Sequence, residues 1–136
     1  MRNIALLLII SGICIVFACK KETNSEQFLL LTGPVWASDS LLAEGIDASK
    51  PGQLLNKFVG DSKFREDGTG YFGKYIGKWR FAFNETELVI ESDSLQLPLT
   101  TKIAELTNKS LKLTTSFPNP LNLSNPYDIR MTFKAK

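Results

Sequence analysis

Beyond residue 27 the chain alternates apolar and polar residues in short runs separated by turn-forming residues, a period of two that predicts β-strands. In the run 127–134, Tyr127, Ile129, Met131 and Phe133 share one face, and Asp128, Arg130, Thr132 and Lys134 share the other. One face is therefore core and the other water. The run 110–117 alternates likewise, with Leu111, Leu113 and Phe117 opposite Lys112, Thr114 and Ser116. The run 78–83 sets Trp79, Phe81 and Phe83 against Lys78 and Arg80. Shorter runs at 35–42, 58–64, 69–76 and 87–91 add strands. The run 95–106 changes phase, which predicts a bulge or bend near Pro98 or Ala104, because proline cannot donate to a ladder.

Glu66-Asp67-Gly68-Thr69 predicts a hairpin turn, glycine supplying the positive backbone angle at little steric cost. Asn84-Glu85-Thr86 and Thr107-Asn108-Lys109 predict two more. Helix is scarce, with a short turn expected at 53–57. About eight strands follow, an all-β chain. With simple up-and-down connections they close into an antiparallel barrel, which removes unpaired edges. Its interior is expected to receive Trp79, Phe81, Phe83, Leu88, Ile90, Leu111, Leu113, Phe117, Tyr127, Ile129, Met131 and Phe133. Such an interior is either packed solid or holds one small ligand.

The first residues read differently. Met1-Arg2-Asn3 precedes an apolar run over 4–17, followed by Ala18-Cys19-Lys20-Lys21. A basic start, an apolar centre and a small residue before the cut make a secretory signal peptide. As a helix the run reaches roughly 21 Å against a hydrocarbon core of about 30 Å, and Ser11-Gly12 interrupts it, so it is too short to span. Val16-Phe17-Ala18-Cys19 resembles the lipobox of bacterial lipoproteins. The resemblance implies that Cys19 becomes the first mature residue and carries acyl chains. Cys14 follows the bulky Ile13 and is not a comparable candidate. Two or three chains hold a protein to a membrane far more firmly than one. Lys20-Lys21-Glu22 implies sorting to the outer membrane, with the leaflet open.

Removal of residues 1–18 leaves a lipidated cysteine and polar tether over 19–27 and one domain over 28–136, of a size that supports a single core. The mature charge is 15 basic minus 14 acidic residues, or +1, since Arg2 leaves with the signal. That balance argues against nucleic acid, which requires a concentrated basic face. With Cys19 acylated, the domain has no thiol left for a disulfide.

Catalysis has little to stand on. The chain has no histidine, hence neither the commonest general base nor the commonest metal ligand. Glu66-Asp67, Glu87, Glu91 and Asp93 occupy turns or solvent faces. An enzyme, a metal site and a bound cofactor are all unexpected. The Asn-x-Ser/Thr triplets at Asn84, Asn108 and Asn122 are turn composition.

Phe64-Arg-Glu-Asp-Gly68, Trp79, Leu88-Val-Ile90, Ile103-Ala-Glu-Leu-Thr107 and Ser-Leu111-Lys-Leu113, closed by Phe133, resemble the small bacterial lipocalin-like lipoproteins over residues 31–133. The larger family carries Gly-x-Trp near its first strand; the stretch here, Gly33-Pro34-Val35-Trp36, is one residue longer. The resemblance implies Trp36 as a plug at one end of the barrel with Arg130 as its cation–π partner. Read from the residues alone, Trp36 is simply a core aromatic.

Two functions follow. The first is a lipid-anchored module, expected to be monomeric, whose barrel binds a small hydrophobic ligand through Trp79, Phe81, Phe83, Tyr127 and Met131. In the second the barrel is solid and its loops contact a protein. The charge-free stretch 118–126, with three prolines and with Leu121 and Leu123 at its tip, would serve as lid in the first case and contact in the second.

Overall fold

The computed structural model describes residues 23–136. The leader and Cys19 lie outside the described residues. Nine strands form one antiparallel sheet: β1 (Trp36–Ala43), β2 (Ile46–Asp47), β3 (Asp61–Phe64), β4 (Thr69–Phe72), β5 (Tyr75–Ala82), β6 (Glu87–Ser92), β7 (Leu99–Leu106), β8 (Ser110–Phe117) and β9 (Tyr127–Ala135). β1 pairs with both β3 and β9, so eight strands close into an up-and-down barrel and β2 remains as an extra hairpin arm on β1. The expected fold class is the observed one.

Several boundaries differ from the sequence reading. The run 69–76 is two strands, because Gly73 turns the chain at φ +60° with its α-carbon against Lys57 and Phe58, where any side chain would overlap their backbone. The strand expected over 95–106 begins after Pro98, and its bulge falls at Ala104, between Ile103 and Glu105. Only 61–64 of the run 58–64 is strand, Phe58 ending a single 3₁₀ turn, Asn56–Phe58. β2 was not expected; it forms because Glu44 and Gly45 both take positive φ, the geometry of a tight two-residue hairpin.

The one α-helix among the described residues, α1 (Glu26–Thr32), was also not expected. Ser25 caps it through a bond from the Phe28 amide to its hydroxyl, at 3.1 Å. At its other end the Lys63 ammonium donates to the carbonyls of Thr32, Gly33 and Pro34 at 2.7, 2.8 and 3.2 Å. That places a cation where the helix leaves its last carbonyls unpaired.

The strand ends define two ends of the barrel. Trp36, Phe64, Thr69, Ala82, Glu87, Leu106, Ser110 and Ala135 lie at the end where α1 enters, here the proximal end. Leu31 of α1 is fully buried there, and the Trp36 indole donates to its carbonyl at 3.0 Å. The distal end carries the 3₁₀ turn, with Phe58 against Tyr75 at 4.8 Å between ring centroids.

Candidate functional site

The interior alternates as expected along β6, β8 and β9. Leu88, Ile90, Leu111, Leu113, Ile129, Met131 and Phe133 are all buried. An aromatic run fills the opposite wall. Phe72 lies 5.0 Å from Phe64, Phe64 stands edge-on to Trp79 at 5.7 Å, and Trp79 edge-on to Phe81 at 5.4 Å. These are the separations at which tilted and edge-to-face rings attract. The Trp79 indole donates to the Arg65 carbonyl at 2.9 Å, and Phe28 of α1 packs on its ring. Two polar side chains share this interior. Thr101 donates to the Leu88 carbonyl at 3.2 Å, whereas the Ser62 hydroxyl has no partner.

Of the five residues expected to line a ligand cavity, Trp79 and Met131 are buried in this packing, and Phe81 is partly buried against it. Tyr127 sits at the distal mouth, partly buried beside Phe117, its partner across β8 and β9. Phe83 is not interior. It is 77% exposed, because its φ of +49° ends the strand's alternation one step early. Phe117, also assigned to the interior, is 40% exposed at the mouth. Trp36 is buried, but Arg130 is exposed on the outer face, where its nearest ionic partner is Asp128 at 3.7 Å. The cations over rings are instead Lys57 on Tyr75 and Arg65 on Tyr71. Cys19 lies outside the described residues.

The open clefts lie on the outer face and the rim. One, about 590 Å³, runs between Ile76, Lys78 and Glu91 on the strands and Leu95 and Pro98 of the β6–β7 connection. A second, about 260 Å³, is walled by Thr100, Thr114, Ser116 and Asp128. Neither wall includes the buried residues of β6, β8 or β9. Among the described residues no group of three or more acidic or sulfur ligands is placed to hold a metal ion.

Exposed apolar side chains divide by end. On the distal half stand Ile46, Ile76, Leu97, Phe117, Leu121 and Leu123, the last two 92% and 80% exposed. Leu97, Phe117, Leu121 and Leu123 come from residues 94–101 and 113–127, two stretches without a single charge that meet where β7 pairs with β8. Asn119 and Asn122 close turns in the second stretch, accepting from the amides of Leu121 and Ser124. The charge-free sequence was legible; that both stretches share one rim was not, since it depends on which strands pair.

Compared with protein-family models and with curated proteins, the chain matches none.

Proposed function

We propose that this protein is a non-enzymatic lipoprotein of the cell envelope, held to the outer membrane by acyl chains on Cys19. Its lipocalin-like barrel is a rigid head that binds a partner protein through the distal apolar rim. The supporting observation is the contrast between a buried barrel interior and the exposed apolar side chains of two charge-free stretches, 94–101 and 113–127, at the end opposite the tether. A large exposed apolar patch on a soluble domain marks an interaction site more often than a structural accident. The partner's matching surface is apolar and uncharged, since a charge set against Leu97, Leu121 and Leu123 would be desolvated without compensation.

A photoreactive residue at position 121 of the full chain, expressed in its host, tests this. One discrete cross-linked protein is expected, lost when Leu123→Asp is added and absent when the probe stands at position 78. Cross-linking that ignores Leu123→Asp would overturn the rim assignment. Separately, Cys19→Ser should abolish incorporation of labelled palmitate, and retained label would overturn the anchor.

A second reading keeps a small hydrophobic ligand at the distal mouth. It is favoured by Leu99, Phe117 and Tyr127, which belong to the inward-facing register yet remain partly exposed.

A further inference from the structure

At the proximal end, beside the tether, two large apolar side chains are exposed, Leu29 of α1 at 52% and Phe83 of the β5–β6 turn at 77%. The turn that carries Phe83 is unusual. Phe83, Asn84 and Glu85 all take left-handed φ, at 49°, 54° and 63°, a conformation that side chains other than glycine adopt reluctantly. It is also braced. The Thr86 amide and hydroxyl both donate to the Phe83 carbonyl, at 3.2 and 2.7 Å, and the Ile103 amide donates to the Thr86 carbonyl at 2.9 Å. The Ser25 hydroxyl, at the N-terminus of α1, donates to the Glu85 carboxylate at 2.6 Å.

This last bond joins the turn to the point where the tether enters. Ser25 is six residues beyond Cys19 in the sequence, a separation of at most about 20 Å of fully extended chain. The distal rim stands farther off by the length of the barrel, whose longest strand has nine residues at about 3.3 Å each. A bilayer holding Cys19 is therefore within reach of the Phe83 turn, and the rim stands away from it whenever the barrel rests on its proximal end. Lys20 and Lys21, between anchor and helix, suit an anionic headgroup layer.

We propose that Phe83 is a membrane-interface contact, which seats the proximal end of the barrel on the bilayer that holds Cys19 and aims the distal rim away from it. The proposal rests on the lipid-anchor reading. The acyl chains supply the attachment, and Phe83 sets the orientation. Its ring lies at the headgroup boundary, and the braced turn keeps it from folding back into the core.

The test uses mature chain, residues 19–136, coupled through Cys19 to maleimide-bearing lipid in phosphatidylethanolamine–phosphatidylglycerol vesicles. Tryptophan is placed at position 83 or, separately, at 121. The unsubstituted chain gives the background from buried Trp36 and Trp79. With brominated acyl chains, the emission added by Phe83→Trp is expected to be largely quenched and that added by Leu121→Trp to persist. Equal or greater quenching at 121, or none at 83 on vesicles whose coupling is verified by co-flotation, would overturn the orientation. Because coupling is chemical, this outcome is independent of palmitate labelling in the host, so failure of the anchor and failure of the contact are told apart.

Discussion

Met131 and Ser62 face the same interior and should answer substitution in opposite ways. Met131 is 1% exposed among Leu113, Ile129 and Phe133, so Met131→Ala removes packed volume that the barrel wall cannot collapse to refill. A loss of about 2–5 kcal/mol is expected in urea unfolding. Ser62 is equally buried, but its hydroxyl has no partner. Ser62→Ala relieves an uncompensated desolvation and should stabilise by up to about 1–3 kcal/mol. Destabilisation of that size would mean that the hydroxyl is satisfied in solution. Phe83 is the contrasting aromatic: already in water, it should tolerate Phe83→Ala within about 0.5 kcal/mol. The sequence could not separate it from Phe81, because alternation places both on one face and only the positive φ at Phe83 breaks the pattern.

Among the elements, legibility followed the length of the alternating run. β8 and β9, with eight and nine residues, are nearly as the pattern predicts. β3 and β4, with four each, are not, since so short a run leaves its ends to whatever packs around it. The split between β4 and β5 depends on Gly73 against the 3₁₀ turn, a contact between residues far apart in sequence. The hydrophobic pattern does not mark α1, for a related reason. Seven residues form a marginal helix in isolation, and this one is held by the Lys63 ammonium and by burial of Leu31 over Trp36. Lys63→Met should therefore loosen the helix first, raising amide exchange in α1 well before the barrel strands lose protection. Uniform exchange across both would count against that role. Glycine at 77 is an element-level constraint of another kind. A Cβ there would overlap the Glu91 carbonyl oxygen, so Gly77→Ala is expected to push β5 from β6 and cost about 1–3 kcal/mol by the same unfolding assay.

The whole molecule has a simple charge logic. It has no histidine, so no imidazole changes its charge near neutral pH and the melting temperature should be nearly level there. Below it, Asp67 and Glu105 respond. The Thr69 hydroxyl and amide hold Asp67 below its ordinary 3.8, and the Lys112 ammonium holds Glu105 below 4.5. Depressed values in the fold mean that these contacts stabilise above those ordinary values and are lost as pH falls through the lower, folded ones. Both groups are exposed, so the decline should be shallow. At the other extreme, burial raises the Tyr75 hydroxyl above 10.0. The fold thus holds the neutral phenol, and stability should fall as pH rises past 10.

At this scale the barrel was legible and the distribution of exposed apolar side chains between its ends was not. Alternation specifies a closed sheet with one apolar face, but that the stretches carrying Leu97 and Leu121 meet at one end depends on the pairing of β7 with β8. In the proposed function the barrel is a packed head acting through the distal rim. Native mass spectrometry of residues 20–136, purified gently from the host, tests it most directly. A bare polypeptide mass, unchanged by a panel of hydrophobic ligands, is the predicted result. A reproducible small-molecule adduct, lost on denaturation, would contradict it.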